Sequence, residues 1–202
     1  GRLVAVSTNG LHCAVNWGGV HIVLLSLCAA DTTDAQTPFK FGVAGPGTWC
    51  DPQGAFSFLK EYLERRVGAS GDPVILAQHY GFDAFSLNDW NWWTLKQRRA
   101  LYELLAGYNA AAILHGHNHL PEHYRWPDPA RHAADLAFFF GGKPPERPRQ
   151  YDVVSCGQLC WAFRVRDNRL IAGHVTGSTW SGDSARFFVK SLLPESSRKG
   201  TN

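Results

Sequence analysis

Methionine is absent from all 202 residues, and charge is scarce: Asp, Glu, Lys and Arg together make up 18% of the chain. That fraction, beside 45% hydrophobic residues, excludes a disordered segment or a coiled coil, which both need more charge. No apolar run approaches the ~20 residues that cross a bilayer, and no signal peptide is visible. There is no Gly-X-Ser-X-Gly elbow; Ser155-Cys156-Gly157 is not one. Neither a Walker-type nor a dinucleotide-type glycine loop occurs. The five cysteines, Cys13, Cys28, Cys50, Cys156 and Cys160, form no Cys-X-X-Cys pair and are odd in number. Buried free thiols account for them better than a disulfide framework. Net charge is only +3, with no basic run longer than Arg147-Pro148-Arg149, so nothing calls for nucleic acid or an anionic membrane as partner.

What the chain has in plenty is aromatic residues, among them eight Trp and twelve Phe. Its length suits one domain or a large part of one. Leu3 to Ser7, Cys13 to Trp17 and Val20 to Leu27 read as strands, with Trp17-Gly18-Gly19 turning between the last two. Val20 to Leu27 is almost wholly apolar, as befits a strand covered on both faces. Residues 28–50 form a long Gly-, Pro- and Thr-rich loop, a length often tied to function. Asp51-Pro52 has the form of a helix start, with an N-cap acid and then proline. Phe56, Leu59, Leu63 and Val67 follow at helical spacing, and Gly68 ends the helix. Pro73 to Gln78 is the next strand. Thr94 is placed to cap a helix through Leu95, Leu101, Leu104 and Leu105 that stops at Gly107. Ala110 to Leu114 is a further apolar strand. Tyr151 to Ser155, Leu159 to Val165 and Leu170 to Val175 close the pattern, the last pair joined at Asp167-Asn168. Residues after Pro194 read as a disordered tail.

Two of these strands end in histidine. Pro73 to Gln78 stops at His79, and Ala110 to Leu114 runs into His115-Gly116-His117-Asn118-His119. Imidazole is the commonest metal ligand, and a strand's C-terminal end in an α/β sheet is where sites form. One histidine there is best read as a strand cap. A Gly-His-X-His turn with a third histidine placed beside it favours a metal site formed by His79, His117 and His119. His115, Tyr80 and Asp83 are candidates for groups that hold a ligand or touch substrate, and each also has an ordinary structural reading. Trp90, Trp92 and Trp93 form either a substrate wall or a satellite hydrophobic cluster. His21 reads as structural, and His12, His123, His132 and His174 as ordinary.

Gly116-His117-Asn118-His119, the preceding strand that ends in His79, and the hairpin from Cys13 to Leu25 together resemble the calcineurin-like metallophosphoesterases. The resemblance extends over roughly Leu11 to Val175. It implies an α/β fold: a two-sheet sandwich flanked by helices. It also implies a binuclear centre of Mn, Fe or Zn that hydrolyses a phosphomonoester or phosphodiester in a small-molecule, lipid or protein substrate. His79 and His117 would share one metal and His119 would face the other. The family's Asp-X-His, Gly-Asp-X-X-Asp and Gly-Asn-His motifs do not occur in this sequence. Residues 1–194 are therefore expected to be the C-terminal part of one such domain, inactive or nearly so alone. Strands such as Val20 to Leu27 and Pro73 to Gln78 would then keep an uncovered apolar face. Two alternatives stay open: a degenerate, non-catalytic binding module of the same fold, and an unrelated mononuclear zinc hydrolase.

Overall fold

Short β-branched and aliphatic runs punctuated by glycine turns give strands, and the two longer segments of helical periodicity give helices. A computed structural model describes residues 1–32, 51–81, 95–116, 121–126, 151–156, 161–176, 179–180 and 188–193. The strands are β1 (Arg2–Val6), β2 (Cys13–Trp17), β3 (Val20–Leu24), β4 (Pro73–Ala77), β5 (Asn109–His115), β6 (Pro121–Trp126), β7 (Tyr151–Cys156), β8 (Trp161–Arg166), β9 (Arg169–Thr176), β10 (Thr179–Trp180) and β11 (Phe188–Ser191). The helices are α1 (Ala55–Tyr62), continued by a π turn over Leu63–Val67, and α2 (Leu95–Leu105).

Among the described residues, one mixed sheet runs β1-β2-β3-β4-β5-β7-β6. Its first strands form antiparallel hairpins. β3, β4, β5 and β7 are parallel neighbours, and β6 returns antiparallel to β7. Gly18 (φ 60°) and Gly19 (φ 87°) both adopt the left-handed conformation that a two-residue β2–β3 turn requires. In the second sheet β9 is central, flanked by β8, β11 and the short β10.

The pleat of the parallel strands sends alternate side chains to opposite faces. Val23, Val74, Leu76 and Ile113 join Leu59, Leu63, Leu101 and Leu105 of the helical segments in one core. Val20, Ile75 and Ala112 join Leu170, Ala172 and Leu192 in another. Against the expectation of an uncovered apolar face on β3 or β4, Val23, Val74 and Leu76 are buried among the helix residues, and Val20 and Ile75 beside residues of β9. Fully burying a leucine contributes about 1.5–3 kcal/mol, so each layer is a substantial stabilising term.

Several elements differ from expectation, and three differences bear on the site and its supports. β3 ends at Leu24, not Leu27, because the Ser26 amide donates to Nδ1 of His12 (3.2 Å) and leaves the ladder. Leu25, Leu27, Cys28, Ala29 and Ala30 nevertheless stay buried in the helix-side core. α1 begins at Ala55 with Gly54 at the N-cap position, so Asp51 is not its N-cap; the Asp51 carboxylate accepts the Gln53 amide, at 3.0 Å, in a local turn. The cap comes instead from Asp31. Oδ1 accepts the Ser57 amide at 2.7 Å and Oδ2 the Ser57 hydroxyl at 2.8 Å. Finally, β6, β10 and β11 were not expected. β6 is polar along most of its length and opens on proline, both marks of an edge strand. It ends in Trp126, which is fully buried edge-on to Tyr102.

Several expectations fall outside the described residues. These are His117, His119, Asp83, the Trp90–Trp93 segment, the Thr94 cap, Cys160, most of the 28–50 loop and the 195–202 tail.

Candidate metal centre at the strand rim

Parallel order places the C-terminal ends of β3, β4 and β5 side by side, and backbone hydrogen bonds continue past the strands. Leu25 N–H donates to Ala77 O (2.8 Å), Gln78 N–H to Leu114 O (2.9 Å), and Gly116 N–H to His79 O (3.1 Å). The last bond joins the two histidine-bearing turns directly. Gly116 is the residue before His117, so the chain enters the Gly-His-X-His turn while hydrogen-bonded to His79.

His79 is solvent-exposed, as a ligand at a rim must be before a metal or substrate arrives. Its ring sits edge-on to Tyr80, with centroids 4.9 Å apart. Tyr80 itself is buried in the helix-side core, and its amide donates to Leu27 O at 2.7 Å. A side chain so enclosed has no surface for substrate. It can brace the His79 ring.

His115 is buried, and its Nδ1–H donates to Gly116 O at 2.9 Å. That bond makes Nδ1 the protonated nitrogen of the neutral ring. His115 lies directly under Gly81. A Cβ added to Gly81 would fall 2.6 Å from both Nδ1 and Nε2 of His115, and nearer still to Cε1. Only glycine fits there without displacement of the ring or the loop.

Sequence reasoning passed over Gln78, reading it only as the end of an apolar run. It is buried. Its Oε1 accepts the Ala29 amide (3.2 Å), and its Nε2 donates to Tyr80 O (2.7 Å). One side chain thus ties the segment after β3 to the turn after β4. The signal was available in principle, since a glutamine between a buried strand and a histidine must satisfy an amide in the interior.

Two of the histidines outside the proposed set, His12 and His21, have described surroundings. His12 is almost fully buried and accepts from Ser26, so its Nε2–H donates to Gln53 O at 3.1 Å. His21 lies with Nδ1 2.7 Å from the Tyr62 hydroxyl and Nε2 3.5 Å from the Asp72 carboxylate. A cavity of about 450 Å³ opens between β1 and α1, lined by Ser7, His12, Phe58, Tyr62 and Arg65 among others. It includes neither His79 nor His115. Its one histidine has both nitrogens occupied, so the rim, not this cavity, holds the candidate chemistry.

Among the described residues no three His, Cys, Asp or Glu side chains converge in a ligand cluster, and no helix is long and apolar enough to cross a membrane. Two of the three expected ligands, His117 and His119, lie outside the described residues. Compared with known proteins, the chain matches no family model and no curated protein.

Proposed function

We propose that this chain carries the histidine half of a binuclear metal site for phosphoester hydrolysis, in a two-sheet sandwich flanked by helices of the calcineurin-like kind. One observation carries the reading: the Gly116 amide is hydrogen-bonded to the His79 carbonyl, so the turn that leads to His117 and His119 starts beside His79. Neutral imidazoles from two adjacent strand ends are a suitable donor set for Mn, Fe or Zn. Bound as a pair, such ions polarise a phosphoryl oxygen and supply a hydroxide at neutral pH.

The chain's own residues have simpler tasks. His79 offers an exposed imidazole at the rim, braced by Tyr80. His115, with Nδ1–H on Gly116 O, holds the second turn. Gln78 keeps the segment after β3 against the turn after β4. His117 and His119 are the remaining proposed ligands, and Asp83 a proposed orienting carboxylate.

Titration with Co²⁺, Mn²⁺ and Zn²⁺ tests the reading. Binding is expected to be weak, because the family's aspartate motifs are missing from this sequence, and weaker at pH 5.5 than at 7.5, since histidine ligates when neutral and titrates near ~6.5. His79→Ala and His117→Ala should each reduce it further. Binding unchanged in both variants overturns the assignment. The missing motifs also favour a second reading, a non-catalytic module that keeps the fold and part of the site. Hydrolysis of an aryl phosphate, abolished by His117→Ala, would decide against that module.

A further inference from the structure

We infer that Gly81 and His115 form a spacer that fixes the distance between the two histidine-bearing turns, so that both are positioning residues for the proposed centre. The inference rests on the metal reading only for its consequence; the spacer itself is a statement about packing.

The turn after β4 runs His79-Tyr80-Gly81, and the turn after β5 begins His115-Gly116. Contacts at both ends join them. At one end, Gly116 N–H donates to His79 O at 3.1 Å. At the other, Gly81 approaches the buried His115 ring so closely that there is no room for a Cβ. The ring is in turn held by its own Nδ1–H bond to Gly116 O, at 2.9 Å. Gly81, the His115 ring, Gly116 and His79 therefore close a small circuit. Moving any member shifts His79 relative to the start of the Gly-His-X-His turn. Tyr80, between the two contacts, is anchored through its amide to Leu27 O and through its carbonyl to Gln78 Nε2. The loop consequently cannot absorb a push on Gly81 by sliding along the rim. It must lift.

Ligand imidazoles need placement to a few tenths of an ångström, and supporting groups typically contribute 10–100-fold in metal affinity. Gly81→Ala should therefore act at a distance from any ligand atom. His115→Asn makes the complementary change. Its Nδ2 can stand where Nδ1 stands and donate to Gly116 O, while the shorter side chain leaves space for a Cβ at position 81.

The first readout involves no metal. Amide hydrogen exchange at Gly116 reports the bond to His79 O. Exchange should speed up at least about 10-fold in Gly81→Ala and return toward the parent rate in the Gly81→Ala/His115→Asn double variant. Unchanged exchange in Gly81→Ala overturns the spacer, whatever the chain binds. If Gly81→Ala does not fold, the double variant decides: a folded protein with parental Gly116 protection supports the spacer, and a failure to fold counts against it. The second readout is the Co²⁺ visible spectrum and affinity. Affinity about 10-fold lower in Gly81→Ala, with an altered band, and recovery in the double variant support the positioning role. Parental Co²⁺ binding in Gly81→Ala, despite faster Gly116 exchange, overturns that role while leaving the metal reading in place. Absence of Co²⁺ binding in the unsubstituted chain overturns the metal reading and the positioning role with it.

Discussion

Replacing Asp31 by alanine should destabilise a helix 26 residues away in sequence, and by a predictable amount. The Ser57 amide is the third of the unpaired donors at the start of α1. Its acceptor is Asp31 Oδ1 at 2.7 Å, while Oδ2 takes the Ser57 hydroxyl at 2.8 Å. Loss of an N-terminal cap costs about 1 kcal/mol, and loss of a carboxylate beside the positive end of the helix dipole about 0.5 kcal/mol. The contact is open to water, so the freed donors are rehydrated and no burial penalty is added. The neighbouring backbone bonds, Gly54 N–H to Asp31 O (2.7 Å) and Phe56 N–H to Ala30 O (3.0 Å), survive the substitution. The sum is about 1.5 kcal/mol, or a fall in Tm of roughly 3–6 °C for a chain of this size. Asp31→Asn keeps an acceptor for the Ser57 amide, loses the charge, and lets the Ser57 hydroxyl reverse to accept from the new amide nitrogen, so it should cost about 0.5 kcal/mol. Asp51→Ala removes the local bond to the Gln53 amide, outside the first turn of α1, and should cost less than Asp31→Ala, about 0.5 kcal/mol. Urea unfolding at constant m-value measures all three. Should Asp51→Ala prove as costly as Asp31→Ala, the long-range cap would be wrong and the sequence-based cap right.

Stability should fall on the alkaline side. Burial, reinforced by the negative charge of Asp51, pushes the Cys28 thiol far above its ordinary 9.0, and burial raises the Tyr62 phenol above 10.0 against the opposing pull of Arg66. Both groups keep their protons in the fold and lose them in the unfolded chain. Their stabilisation is thus complete below pH ~9 and declines above it, by up to about 1.4 kcal/mol per pH unit for each group. Denaturant midpoints from pH 7 to 10.5 check this, and Cys28→Ala should flatten the first part of the slope. At the β8–β9 turn Asp167 (φ 50°) and Asn168 (φ 55°) are both left-handed and exposed. Asn168→Val should therefore cost about 1–2 kcal/mol, and Asn168→Gly next to nothing; equal midpoints for the two would contradict the turn geometry. Asn109 Nδ2 donates to Leu192 O (2.9 Å) and Gly71 O (3.1 Å), tying the segment after β11 to the first sheet. Asn109→Ala should cost about 1–2 kcal/mol and speed proteolysis near Leu192, as followed by mass spectrometry.

Much of the layer structure could be read from the chain because it depends on local pattern. Apolar runs such as Val74-Ile75-Leu76 signal a strand covered on both faces, and the alternation of Val74 and Leu76 with Ile75 divides them between the two cores. The Gly18-Gly19 and Asp167-Asn168 turns were legible for the same reason, since few residues accept left-handed backbone. Asp31 was not legible as a cap, because capping was sought among near neighbours and Asp51-Pro52 offered a locally complete signal. The tertiary contact between the segment after β3 and the start of α1 prevailed over it. β6 escaped notice because an edge strand needs no apolar alternation. At the site, histidines stand out by type and spacing. Gln78 and Gly81 do not, because their importance lies in what presses on them.

The arrangement of the parallel strands explains why these inconspicuous residues collect at one place. Each of β3, β4 and β5 ends at the same rim, and each is followed by a segment that must leave the sheet while still buried. Leu25 to Ala30, Gln78 to Gly81, and His115-Gly116 are those segments, and nearly all of these residues lie in the interior. Their backbone groups cannot be left to water, so each segment binds its neighbour: Leu25 to Ala77, Tyr80 to Leu27, Gly116 to His79, with Gln78 spanning two of them. Interior backbone without a ladder has to be satisfied by specific partners. That requirement makes the rim stiff where a loop would ordinarily be compliant. For the proposed metal centre, such bracing would hold the imidazoles in place before any ligand arrives and lower the ordering cost of binding. The exposed member of the group, His79, is then the side chain through which that stiffness reaches the solvent.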